Sequence, residues 1–237
     1  MAITRIGSLT ESADAERETN TGSESISVPA DAEILIVCVH GFTWLAANYF
    51  TGGAMTLGGT TFTTEVAQGN ANNGPFMGAI FAIDCRALTG TQTLAWDWSG
   101  TANPKNDVRI VWGCYKGVNT SAMVRDSDGV QAYSRPYTTP TLTASAGDLI
   151  VAWAWGYYDA AGAPTWSNAT QVTGYLTEYG KAKGSWAEGS PTGNTTVGVS
   201  AWTGVDDGGI CAIVLAPAAT GGTSRPVFLN LQRQFRN

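Results

Sequence analysis

The chain has 237 residues, of which 14% are charged and 43% are hydrophobic. These proportions exclude an intrinsically disordered protein and a coiled coil. The formal net charge of −6 argues against nucleic acid as a partner, because a general nucleic-acid-binding protein is basic. No apolar run approaches the roughly 18 residues that a membrane-spanning helix needs, so we expect no membrane partner.

The chain begins with a polar stretch and continues as a series of short strand patterns. Residues 1–24 show no face that would pack, and we predict a polar N-terminal arm. The β-branched run at 33–42 predicts a buried strand. Residues 91–99 alternate instead, which places Leu94, Trp96 and Trp98 on one face of a strand.

The second half of the chain also consists of short strand patterns. Residues 145–157, SAGDLIVAWAWGY, echo residues 30–42, ADAEILIVCVHGF, with an acidic residue before an aliphatic run in both. The whole chain shows about a dozen strand patterns separated by turn residues, which is typical of a β-sandwich or barrel. We predict one all-β sandwich domain over residues 25–218, built from antiparallel strands in two interlocked Greek keys.

The C-terminal segment, residues 219–237, follows a flexible linker and mixes arginine with apolar residues. Such a composition favours an interface, so we expect this segment to dock on a neighbouring subunit or on its own body. The predicted partner-binding residues are Arg225, Phe228, Leu229, Leu231, Arg233, Phe235 and Arg236.

The four cysteines, Cys38, Cys85, Cys114 and Cys211, each lie in an apolar run, and none forms a CxxC pair. A metal site draws its ligands from short spacings, usually with histidine, and His40 is the only histidine. We therefore predict four buried thiols, with no metal and no cofactor. Buried thiols and the lack of an apolar signal core indicate synthesis in a cytoplasm.

No pattern of catalytic residues stands out. His40 ends a buried strand and no GxSxG motif accompanies it, so we expect a core histidine rather than a catalytic base. Asp97 lies between two tryptophans but faces away from both on a strand, which argues against glycan hydrolysis. The acidic stretches at 125–129 and 205–209 fit turns better than calcium loops. We predict that the protein is not an enzyme.

The densest aromatic cluster runs from Trp153 to Trp166 and allows two interpretations. Trp153 and Trp155 share one strand face, which indicates a buried core face. The alternative is a carbohydrate- or receptor-binding platform, because aromatic rings also stack on sugars. Its ligand-binding residues would be Trp155, Tyr158, Asp159 and Trp166.

Four stretches, at 25–39, 108–120, 139–155 and 200–218, together resemble a known protein family. It comprises jelly-roll-like β-sandwich proteins encoded by tailed bacteriophages and prophage-bearing bacteria. The resemblance implies a non-enzymatic virion component, either a capsid decoration (cement) protein or a fibre component attached to head or tail. It defines no catalytic residue.

The resemblance also implies partners and a location. We expect the major capsid protein or other virion subunits as partners, a homo-oligomer with a trimer favoured, and residence in the virion after synthesis in the host cytoplasm. The two terminal segments lie outside the resemblance.

Overall fold

A computed structural model describes residues 2–12, 21–42, 50, 54–68, 76–98, 106–119, 121–132, 136–157, 161–179, 182–203 and 207–219. The described residues form 17 strands, and every strand pair is antiparallel. The prediction of an all-β sandwich-like fold is therefore confirmed. The strands are β1 Thr4–Glu11, β2 Thr21–Val28, β3 Ile34–Phe42, β4 Met55–Leu57, β5 Thr60–Thr61, β6 Thr63–Gln68, β7 Phe76–Asp84, β8 Gly90–Asp97, β9 Asn106–Lys116, β10 Val124–Ala132, β11 Tyr137–Thr138, β12 Leu149–Tyr157, β13 Ala161–Ser167, β14 Thr170–Tyr179, β15 Ala182–Gly189, β16 Gly198–Thr203 and β17 Gly208–Leu215.

The strands form four sheets, two from each half of the chain. In the first half, an inner sheet has the order β1-β9-β3-β7-β6 and an outer sheet has the order β2-β8-β4-β5. In the second half, the corresponding orders are β10-β17-β12-β15-β14 and β11-β16-β13. Each strand of the first half has a counterpart in the second, except β5. The chain is thus a structural repeat of two units, β1–β9 and β10–β17.

Two of the domain predictions need correction. Residues Thr4–Glu11 are not part of a free arm, because they form β1 and pair with β9 at the edge of the inner sheet. Residues 21–24 likewise belong to β2. The single sandwich expected over residues 25–218 is instead two consecutive units, and the echo between 30–42 and 145–157 marks the equivalent strands β3 and β12.

Three apolar cores separate the four sheets. One core lies between the two sheets of the first unit and includes Val37, Phe81 and Trp98. A second lies between the two sheets of the second unit and includes Ala152 and Trp202. The third joins the units through their inner sheets. The order of layers is therefore outer, inner, inner, outer.

This layering explains why some strand sequences are continuously apolar whereas others alternate between apolar and polar residues. The central strands of the inner sheets are buried on both faces, so β17 is buried at every position and β3 is one apolar run. Strand β8 has one face in solvent, and it alternates as the sequence predicts. The predicted core face of Leu94, Trp96 and Trp98 is confirmed.

Large indole rings and glycines interlock where the two units meet. A Cβ atom on Gly78 of β7 would overlap the ring of Trp155 on β12. A Cβ atom on Gly184 of β15 would overlap the ring of Trp153. The absence of side chains at these glycines allows the rings to lie against the backbone of neighbouring strands.

The Gly78→Ala substitution should therefore destabilise the protein, because the added methyl group and the fully buried Trp155 ring occupy the same space. We expect the free energy of unfolding, measured in urea, to fall by about 1–3 kcal/mol.

Gly193→Ala is the matched control, since a Cβ atom there meets nothing within 4 Å. It should change the free energy of unfolding by less than about 0.5 kcal/mol. Equal effects of the two substitutions would contradict the interlocked packing.

Candidate functional site

The predicted aromatic platform is largely part of the core. Trp153 and Trp155 are both 0% exposed and belong to the layer between the units. Trp155 is therefore corrected from a ligand-binding candidate to a core residue, because a ring that stacks on a sugar must be accessible. Trp166 is half-buried and packs against the core of the second unit.

Several other predicted site residues cannot be placed. Tyr158 and Asp159 lie outside the described residues. The same holds for the C-terminal candidates Arg225, Phe228, Leu229, Leu231, Arg233, Phe235 and Arg236. Their roles therefore stay predictions.

His40 belongs to the core, as expected. Its ring is buried on β3, and the ring centroid lies 5.4 Å from that of Trp153 across the contact between the units. The side chain thus packs between two sheets, away from solvent.

The acidic stretch at 125–129 forms neither a turn nor a calcium loop, because it lies within β10. Asp126 Oδ2 accepts a hydrogen bond from the Thr143 backbone N–H at 2.6 Å. Asp148 is buried, accepts a bond from the Ser145 N–H at 2.8 Å, and pairs with Arg125 Nε at 2.8 Å. These carboxylates hold chain segments together. Among the described residues, no group of three or more His, Cys, Asp and Glu side chains is arranged to hold a metal ion.

All four cysteines are buried and none forms a disulfide, as predicted. Burial raises the pKa of the Cys85 thiol to about 12 and that of the Cys114 thiol to about 11. These thiols stay protonated near neutral pH and are poor nucleophiles there.

A polar groove of about 590 Å³ lies beside the turn between β13 and β14. Asn168, Thr170, Glu188 and Ser190 contribute polar side chains to its lining. Glu188 Oε1 accepts a hydrogen bond from the buried Tyr115 hydroxyl at 2.8 Å and lies 3.4 Å from Arg5 Nη1. Because Tyr115 and Arg5 belong to the first unit, the carboxylate in this groove also links the two units.

A second groove, of about 430 Å³, contains two carboxyl groups with opposite pKa shifts. Burial raises the pKa of Glu65. The hydrogen bond from Arg86 lowers the pKa of Asp84. Sequence reasoning missed Glu65, because an acidic residue in an alternating strand is expected to face solvent.

The opposite shifts predict opposite effects of neutral substitutions in this groove. The raised pKa of Glu65 means that its charge is less favourable in the folded state, so Glu65→Gln should be more stable than wild type at pH 7. Asp84→Asn should be less stable at pH 7, because the lowered pKa of Asp84 reports a favourable charge.

The two stability differences should also change with pH. The difference in stability between Glu65→Gln and wild type should vanish as the pH falls through the raised pKa of Glu65 and below the ordinary value of 4.5. The Asp84 difference should vanish as the pH falls through its lowered pKa, beneath the ordinary value of 3.8. Urea unfolding at a series of pH values measures both, and effects of the same sign at pH 7 would contradict the assignment.

The outward faces of both outer sheets carry short, mostly uncharged side chains. The exposed positions of β2 and β8 are mainly serine and threonine, with Asp97 as a charged member. On β16 the exposed residues are Ser200, Ala201 and Thr203. Exposed surfaces of soluble proteins usually mix many charges of both signs, so these two faces differ from an ordinary solvated surface.

No protein-family model, curated protein or solved structure matches the chain. Within the described residues there is no helix long and apolar enough to span a membrane.

Proposed function

We propose that the protein is a non-enzymatic structural component of a tailed-phage virion, either a capsid decoration protein or a fibre component. The observation that carries this proposal is the pair of hydroxyl-rich faces with few charges on opposite sides of a four-layer body. Serine and threonine lose little side-chain entropy on burial, unlike lysine or glutamate, so these faces suit contact with other subunits. The major capsid protein and further copies of this chain are the proposed partners.

The strand pairing supports the jelly-roll part of the proposal. In the first unit, β1 pairs with β9, β2 with β8, β3 with β7 and β4 with β5. This nesting is the pattern of a long hairpin wound into two sheets, which is how we interpret each unit. The extra strand β6 extends the inner sheet beyond β7.

The proposal is tested by adding charge to one outer face. A tagged chain should sediment with phage particles through a density gradient, and the free chain should have the native mass of a trimer or larger oligomer. The double substitution Thr91→Lys and Thr93→Lys places two cations on the exposed face of β8 and should remove most of the particle-bound protein, because buried unpaired charges are costly.

Ala122→Lys is the control, because Ala122 is exposed in the segment between the two units. It should bind particles as wild type does, and circular dichroism should give the same spectrum for all three proteins. A wild-type chain that stays in the soluble fraction while particles band without it would overturn the proposal.

A second candidate function is carbohydrate or receptor binding, which the polar groove at Asn168 and Glu188 favours. Polar side chains around a carboxylate suit hydroxyl-rich ligands, and the half-buried Trp166 lies two residues before Asn168.

For this function, Trp166→Ala should lower binding on a glycan array at least tenfold, because one aromatic stacking contact is worth about 1.5 kcal/mol. Glu188→Gln should lower it as well. An array on which the wild-type chain binds nothing would remove this candidate.

A further inference from the structure

Strand β2 leaves an open edge on the outer sheet of the first unit. Residues Thr21–Val28 pair with β8 in one unbroken register, and among the described strands nothing pairs with the other side of β2. The strand contains no proline and one charged residue, Glu24. A long, regular edge of this kind presents a row of backbone donors and acceptors to any complementary strand.

The inward face of β2 is incomplete at this edge. Ile26 and Val28 are buried, while Gly22 has no side chain and the Trp96 ring lies against it. The Oε2 atom of Glu24 is buried and has no hydrogen-bond partner among the described residues. A buried carboxylate oxygen without a partner is costly, and a cation at this position would relieve that cost.

The C-terminal segment has the pattern that fits this edge. In residues 229–236, LNLQRQFR, apolar or cationic residues alternate with residues that are mostly amides. Leu229, Leu231, Arg233 and Phe235 fall on one face of an extended strand, and the amide residues between them fall on the other.

We propose that residues 229–236 of the chain add to β2 as an antiparallel fifth strand of the first outer sheet. In one register every inward pair is complementary: Leu229 opposite Val28, Leu231 opposite Ile26, Arg233 opposite Glu24, and Phe235 opposite Gly22 beside the Trp96 ring. The same register pairs polar residues on the outward face: Asn230 with Ser27, Gln232 with Ser25, Gln234 with Ser23, and Arg236 with Thr21. A shift by one residue would place Leu229 and Leu231 in solvent.

The path of the chain favours its own β2 edge. The Ala218 N–H donates to the Gly117 carbonyl at 2.8 Å, and the next residue, Val118, donates its N–H to Glu33 Oε2 at 2.7 Å. Glu33 follows the end of β2 by only five residues, so the chain leaves the body near the end of β2. A segment that starts there and follows the edge runs antiparallel to β2.

The connection is also long enough. Residues 219–228 can span roughly 33 Å when extended, whereas stacked sheets are about 10 Å apart. A short covalent tether gives an effective concentration in the millimolar range, which favours the chain's own segment over that of a neighbour.

A cysteine pair tests the register. In the variant Glu24→Cys with Arg233→Cys, directly opposite positions bring the two Cβ atoms to about 5 Å, near the distance that a disulfide needs. Mild oxidation should join the two cysteines within one chain, as peptide mass spectrometry and the monomeric band on a non-reducing gel would show. The four natural thiols are buried, so they should stay reduced under the same conditions.

The matched control is Glu24→Cys with Gln232→Cys, because Gln232 faces the opposite side of the added strand. It should give less than about a tenth of the disulfide yield. Equal yields from the two variants, no disulfide in either, or disulfides that join two chains would each overturn the proposal.

Hydrogen exchange gives a second test without cysteines. Every second amide within residues 229–235, those whose N–H groups point at β2, should be protected in the wild-type chain, and Glu24→Arg should speed the exchange of these amides by about tenfold or more through like-charge repulsion with Arg233. Adding Arg233→Glu to Glu24→Arg should restore protection by re-forming the ion pair in reverse. Exchange that is fast in the wild-type chain, or unchanged by Glu24→Arg, would overturn the proposal.

Discussion

The contact between the two inner sheets is the interaction on which the rest of the structure depends. Each unit has an inner sheet whose second face would be exposed if the unit stood alone, and that face carries Ile36, Cys38, Trp153, Trp155 and Trp186. A buried tryptophan removes about 200 Å² of surface from water, worth roughly 5 kcal/mol at 25 cal/mol per Å². The indole N–H groups of Trp153, Trp155 and Trp186 have no acceptor among the described residues, which costs about 1–3 kcal/mol each. The apolar term exceeds the polar cost, so burying these rings stabilises the fold despite the N–H groups without an acceptor.

The same contact limits how the units can be arranged. Across this contact, Trp155 lies against Gly78 and Trp153 lies against the His40 ring, so each large ring fits only where the facing sheet leaves space for it. Polar contacts between the units reinforce this arrangement. Tyr115 and Arg5 of the first unit contact Glu188 of the second. Ser127 Oγ of the second unit donates a hydrogen bond to the Glu65 carbonyl of the first at 2.7 Å. The two units therefore form one rigid scaffold that holds both outer faces in a fixed relation.

Much of this architecture could be predicted from the sequence, because strand patterns report burial directly. The alternation around Trp96 and the apolar run around Cys38 identify strands with one buried face and with two. The division into two units was missed, although the echo between residues 30–42 and 145–157 pointed to it. An apolar run indicates that both faces are covered but carries no information about which sheet covers them. Residues Thr4–Glu11 were missed for a related reason: an edge strand with mostly exposed side chains looks like a polar arm.

The candidate sites were harder to predict, because their geometry arises from contacts distant in sequence. Trp155 was a candidate ligand-binding residue because the sequence shows an aromatic residue there. The sequence does not show that a sheet of the other unit buries its ring. The carboxylate of Glu188 is held by a hydrogen bond from Tyr115, which is 73 residues away in the sequence. Nothing near Glu65 signals that Met123 and Val124 close one side of its groove. Local patterns determine which face of a strand is buried, and tertiary packing determines which polar groups share a cavity.

The open edges and the outer faces of these sheets bind other chains in different ways. A face with few charges binds only surfaces that match its shape, whereas an open edge pairs with almost any extended chain. A protein that assembles through its faces is therefore expected to protect its edges. The inner-sheet edge at β1 is interrupted by a register shift between Ile6 and Thr10, and the outer-sheet edge at β13 contains Pro164. Strand β2 has neither feature, and Oε2 of its residue Glu24 has no hydrogen-bond partner among the described residues. A complementary segment supplied by the same chain would close this edge and leave the outer faces as the surfaces available for assembly.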